Sequence, residues 1–272
     1  MAGQPAGRRR QRGFAVLAVA VVIVMIAAAV VAGWSTLTSV SQANEQGRSQ
    51  RDYLSEVSVQ LAGWYQRELG QVDAVVSAPD PQRVQREAGI TPRWRLRVAI
   101  SDRLLRDGIG YRVMVAWLPG EGDTSALDAA TGVFTPSANA QWVQVSGFEL
   151  QSAALAQTRA QMSRLAQQLE IGYRVRHLAD PSRDVSINRF RAVSCAAPGS
   201  TEFPCLDSYQ PVGATAIPTL AGLDPQLAFN AWGGPVEASN RMDSSLTQPY
   251  SMALRTATPW GSQVGMIAVA SP

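Results

Sequence analysis

The chain has 272 residues, 46% hydrophobic and 17% charged, enough for one large or two small domains, with no stretch charged or biased enough to stay unfolded. Its pI near 9.2 traces to the first residues: without Arg8, Arg9, Arg10 and Arg12, 20 basic side chains face 21 acidic ones. Beyond that arginine cluster there is no basic footprint for nucleic acid, so none is expected as a partner.

Residues 1–13 form a basic leader, and from Phe14 to Trp34 the side chains are apolar without a charge. As a helix rising about 1.5 Å per residue, 14–34 would span about 30 Å, the hydrocarbon thickness of a bilayer. Arginines flank only its N-terminal end, so the positive-inside rule keeps the leader cytoplasmic and sends the rest outward. A single-pass protein of a bacterial inner membrane is therefore expected, with the C-terminal region periplasmic or in a surface filament. A cleaved secretory signal is the competing reading, opposed by the length of the run and by the poor cleavage sequence Gly33-Trp34-Ser35. The small residues Ala27, Ala28, Ala29, Ala32 and Gly33 would permit close helix packing within the bilayer.

From Ser35 to Gly70 there is no proline, and Tyr53, Val57, Leu61, Trp64 and Tyr65 recur at helical spacing, which predicts an amphipathic helix. Alternation then predicts a strand through Trp94, Leu96, Val98 and Ile100 and another through Tyr111, Val113, Val115 and Trp117, paired across a turn at Arg106 to Gly110. A third strand is expected within Gln141 to Phe148, after a polar loop from Gly120 to Ala140. A second helix is predicted from about Glu149 to Leu178, closed by Asp180-Pro181.

The stretch beyond Pro181 repeats the earlier order. Trp94 to Leu104, then Tyr111, matches Trp232 to Met242, then Tyr250, and Ala88-Gly89-Ile90-Thr91-Pro92 matches Ala221-Gly222-Leu223-Asp224-Pro225. This duplication predicts two modules, 35–148 and 149–272, each a helix packed on a small antiparallel sheet. Cys195 and Cys205 lie in a Pro-, Gly- and Ser-rich stretch of the second. A short disulfide loop is expected there if the compartment is oxidising, and a metal site is the alternative.

A short basic leader ending in Gly13, then Phe14, then a long apolar helix running into an amphipathic one, resembles type IV pilins and the pseudopilins of type II secretion. The sequence Trp232-Gly233-Gly234-Pro235 is similar to the Trp-Gly-x-Pro turn of their C-terminal sheets. The resemblance implies an α+β fold, with a long N-terminal hydrophobic helix followed by two pilin-like modules. It also implies cleavage by prepilin peptidase at the Gly13–Phe14 junction. The family usually carries a glutamate at the fifth mature position, where Ala18 stands here, and that departure points to a minor subunit near a filament tip. The implied function is a membrane-anchored structural subunit of a type IV pilus or type II secretion filament. Its implied partners are the lipid bilayer, other pilin or pseudopilin subunits and inner-membrane assembly proteins. A permanently anchored periplasmic scaffold, which Ala18 favours, and a pilus-tip adhesive module are the alternatives.

No catalytic residue, cofactor or metal site is expected. His177 is the only histidine and falls near a predicted helix end, where the dipole favours it. The pairs Asp123 with Asp128 and Asp180 with Asp184 read as turn and cap chemistry. Asp243 is the only acidic residue after Glu237, too few carboxylates for a calcium cage. Trp94, Trp117, Trp142, Trp232 and Trp260 are expected chiefly in the core.

Overall fold

The computed structural model describes residues 45–190, 208–212, 224–239 and 247–271. The chain divides into two compact units, Met1–Ser55 and Glu56–Pro272. In the first, residues 45–55 are helical. The second holds both larger sheets and all the side-chain networks described below, and the expected boundary between the modules at 148/149 falls inside it.

Two expectations are corrected. Among the described residues no helix is long and apolar enough to cross a membrane, so the fold class led by a long hydrophobic N-terminal helix is not supported. The single-pass inner-membrane placement, with a cytoplasmic N-terminus, falls with it. The physical reason lies in composition. The longest described helix, 32 residues, distributes Glu149, Arg159, Arg164, Glu170, Arg174 and Arg176 along its length, too many charges for a helix to span hydrocarbon. The Phe14–Trp34 stretch that prompted the membrane expectation lies outside the described residues. What the structure shows is a set of helices with antiparallel sheets.

The second unit opens with a helix over 56–67 (α1), which buries Val57, Leu61, Trp64 and Tyr65 on one face, and turns succeed it over 68–74. Asp80 caps the short helix α2 (Pro81–Glu87) by accepting from the N–H groups of Gln82 and Arg83, with proline in the first turn. Strand β1 (Arg97–Ile100) begins later than the alternation suggests, because Trp94 and Arg95 occupy left-handed backbone at φ 48° and 58°. The turn at Asp107-Gly108 joins a separate small hairpin, β2 (Leu104–Arg106) with β3 (Ile109–Tyr111), both turn residues having positive φ.

Beyond that hairpin β1 pairs with β4 (Val113–Leu118), with Ala99 opposite Val115. Asp102 and Arg103 on one strand stand against Arg112 alone on the other, between the Ser101–Val113 hydrogen bond and the Leu104–Tyr111 pair. That two-against-one count is a β-bulge, with the extra residue on the Asp102–Arg103 strand, opposite Arg112. Strand β7 (Gln141–Ser146) completes the sheet in the order β1-β4-β7.

Strand β4 is buried at all six positions, so both faces of the sheet are covered. On one face lie Val98, Ile100, Met114 and Ala116. On the other, Val113, Val115 and Trp117 lie under Leu127 and Phe134. Those last two come from a hairpin, β5 (Ala126–Leu127) with β6 (Phe134–Thr135), inside the stretch expected to be a plain polar loop.

Helix α3 (Phe148–Ala179) turns Met162, Leu165, Leu169 and Tyr173 onto a four-stranded antiparallel sheet. The sheet order is β11-β10-β9-β8, from β8 (Gln210–Pro211), β9 (Glu237–Ser239), β10 (Tyr250–Ala257) and β11 (Gln263–Ala270). Tyr250, Met252 and Leu254 of β10 and Ala268 and Ala270 of β11 meet the helix, with Phe190, Val212, Leu227 and Val236 closing the cluster. Burial of this cluster stabilises the helix-on-sheet packing at about 25 cal/mol per Å² of apolar surface.

Asp224 caps a 3₁₀ turn, Pro225–Ala228, through the Gln226 N–H, much as Asp80 caps α2.

Candidate functional site

Where the two modules meet, five side chains from distant parts of the sequence form one buried polar network. Tyr65 at the end of α1, Asp73 in the turns after it, Arg112 at the bulge and Gln151 in the first turns of α3 are all fully buried. The Tyr65 hydroxyl donates to Asp73 Oδ2 and accepts from the Arg112 backbone N–H at 3.2 Å. Gln151 Nε2 donates to the same carboxylate oxygen at 2.7 Å and to the Leu69 carbonyl at 3.0 Å. Its Oε1 accepts from the Trp232 indole at 2.7 Å, which ties the turn before β9 into the set.

Arg112 uses the planar fork of its guanidinium on backbone. It donates to the carbonyls of Val72 at 2.8 Å, Val75 at 2.6 Å, Ser101 at 2.9 Å and Val76 at 3.4 Å, and lies 3.5 Å from Asp73 Oδ1. In the turns after α1, Arg112 thus supplies the donor for carbonyls that no helix or sheet ladder pairs, Val72 and Val75 among them.

Burial raises the Asp73 carboxyl above its ordinary value, and the donors Tyr65 and Gln151 and the charge of Arg112 only partly oppose it. The Tyr65 hydroxyl is pushed far up by burial and then by the neighbouring Asp73 charge. Arg112 is pulled down by its own desolvation, with Asp73 opposing. An ion pair placed this deep specifies geometry more than it adds stability, and losing one partner is costly.

Backbone shape makes the approach possible. A side chain at Gly147 would collide with the Tyr65 ring, and one at Gly70 would sit 2.7 Å from the Trp232 carbonyl. A Cβ at Gly110 would fall 2.5 Å from Trp260 Cβ, and Trp260 packs edge-on against Trp232 at 5.3 Å. In the Trp232-Gly233-Gly234-Pro235 turn Gly233 has φ 79°, and Asn230 Oδ1 accepts from the N–H groups of Trp232 at 3.0 Å and Gly234 at 2.8 Å. A 330 Å³ pocket beside the network is lined by Trp64, Val72, Val75, Pro79, Arg83 and Arg112 among others, but the Arg112 guanidinium in its wall is already engaged with backbone.

The carboxylates named from sequence separate into local roles. Asp123 accepts from the Ser125 N–H and hydroxyl, the Ser137 hydroxyl and the Trp117 indole, and pairs with Arg97 at 3.4 Å. Those hydrogen bonds, led by Ser125, hold its carboxyl far below the ordinary range. Asp128 accepts from the Ala130 N–H, whereas Asp180 and Asp184 each bind a serine two residues on. His177 stands in the last turn of α3. Trp117 and Trp260 are buried, while Trp94 and Trp142 are about 40% exposed.

Gly13, Phe14, Ala27, Ala28, Ala29, Ala32, Gly33, Cys195, Cys205 and Asp243 lie outside the described residues. Among the described residues no group of three or more His, Cys, Asp or Glu could hold a metal ion. Sequence reasoning missed the network itself. Its one legible signal was an arginine between Tyr111 and Val113 in an otherwise apolar strand.

No family model, curated protein or solved structure matches this chain.

Proposed function

We propose that the chain is a structural subunit of the minor-pilin or pseudopilin kind, a body carried in a filament and built for packing. The observation that carries this reading is the commitment of the buried ionisable groups. Arg112 and Tyr65 are spent on Asp73 and on nearby backbone, and Asp73 in turn accepts from Gln151 of α3, so the set braces the two helix-and-sheet modules against each other, a use that suits a body made to be held in place. The Gly13–Phe14 junction and the Trp232 turn support the same assignment by sequence. Its partners would be other pilin or pseudopilin subunits and their assembly proteins.

The test is expression of the full chain with and without prepilin peptidase, followed by sequencing of the mature N-terminus. A start at Phe14 that depends on the peptidase is expected. A start at Met1 or Ala2 with active peptidase present would remove the assignment. Ala18 favours a second reading, an assembly scaffold that never enters the filament; it predicts a chain absent from purified filaments.

A further inference from the structure

Among the described residues strand β11 is an edge, pairing with β10 alone in a sheet ordered β11-β10-β9-β8. In an antiparallel pair, alternate residues point their backbone N–H and C=O away from the neighbour. The Val269 N–H marks which ones, since it turns outward to Glu170 Oε1 at 3.1 Å rather than inward to β10. By alternation Gln263, Gly265 and Ile267 point their N–H and C=O outward too, and among the described residues these groups have no partner.

Nothing on this strand discourages addition of another. From Gln263 to Ala270 it has no charge and no proline, the usual devices that blunt an edge. Its side chains facing away from α3 include Ile267 and Val269, both nearly half exposed. Gly265 leaves the centre of that face flat, and its surroundings are open: a Cβ placed on it would have the Leu254 carbonyl oxygen, at 3.8 Å, as its nearest neighbour.

The geometry points to β11 as the docking edge for a second copy of this chain, two β11 strands pairing antiparallel about a two-fold axis at Gly265. Glu170 fixes that register. It keeps the Val269 N–H, so the open stretch is Gln263 to Ile267, whose midpoint is Gly265. Gly265 then faces its own copy and Gln263 faces Ile267 of the other chain. A second copy fits because it brings the same unspent donors and acceptors in reverse order, as an isologous contact requires. Charge agrees. Arg159 and Glu170 share one flank of α3, eleven residues or about 20° of net rotation apart. The two-fold reverses the helix and turns the Arg159 end of one copy toward the Glu170 end of the other. This docking edge does not depend on the pilin-like reading, and the N-terminal processing experiment is independent of it.

Oxidative cross-linking of the full chain tests it, with the linked peptides mapped by mass spectrometry and folding checked by circular dichroism. In the proposed register the two Gly265 Cα atoms lie about 5.5 Å apart, within disulfide range, whereas Gln263 and its own copy are separated by roughly 14 Å. Gly265→Cys is expected to give a 265–265 link between chains, Gln263→Cys alone none, and Gln263→Cys with Ile267→Cys a 263–267 link. Adding Ile267→Pro to Gly265→Cys is expected to abolish the link, because it removes an outward N–H and no bond to β10. A folded Gly265→Cys chain that does not link, or that links no better than Gln263→Cys, would overturn the proposal. Were Gly265→Cys to misfold, absence of the 263–267 link in the double variant would overturn it equally.

Discussion

Arg112 is the residue on which the turns after α1, and with them the placement of Asp73, depend. Its charge faces Asp73 and its donors serve four carbonyls, so replacing it removes a buried counter-ion and leaves the carbonyls of Val72, Val75 and Ser101 without that donor, while Val76 keeps the Arg103 N–H. Arg112→Met is expected to destabilise the fold by about 3–5 kcal/mol in denaturant titration. Tyr65→Phe removes one donor to Asp73 and one acceptor for the Arg112 N–H, an expected loss of about 1–3 kcal/mol in the same measurement. The raised Asp73 carboxyl sets a pH signature with a definite sign. A folded-state value above the unfolded one means that the folded protein holds this proton more tightly. The Asp73 contribution is therefore full at acid pH and declines as pH rises from about 4 through the raised folded value. Stability of the native chain minus that of Asp73→Asn, followed by urea titration across pH, should fall over that window. A difference that is flat or rises with pH would show that Asp73 is not held in this way.

At the level of elements, the Asp123 latch holds the β5–β6 hairpin over the outer face of β4 by bonding Ser125, Ser137 and Trp117 together. Its carboxyl is depressed, so the latch acts above the ordinary carboxylate range and is lost as pH falls toward the depressed folded value. Asp123→Ala should raise proteolytic nicking within 120–140 at neutral pH, with a smaller difference from the native chain in acid. Legibility in the sequence followed element length. Helix α3, predicted from Glu149 to Leu178 and found from Phe148 to Ala179, announced itself because its apolar positions hold helical spacing over many turns. Strands β5 and β6 did not, since two residues each cannot show an alternation. The bulge at Arg112 was hidden for another reason. Tyr111 and Val113 look like one continuous strand until the three-dimensional count of two residues against one breaks it into β3 and β4. The network was least legible, because residues as far apart as Tyr65 and Trp232 carry no mutual signal in a single sequence.

On the scale of the whole molecule, the claim everything else relies on is that the two modules from Glu56 onward share one fold, joined through Asp73, Gln151 and Trp232. A double-mutant cycle on Asp73→Ala and Gln151→Leu is expected to give a coupling of about 0.5–3 kcal/mol, because the two side chains share one hydrogen bond across the join. The most direct test is native-state hydrogen exchange of the backbone amides in β4 and β10, the central strands of the two sheets. If the join holds, the slowest amides of both strands exchange through a single opening with the same free energy and the same denaturant dependence. A β10 set that opens at clearly lower free energy, while β4 stays protected, would contradict it.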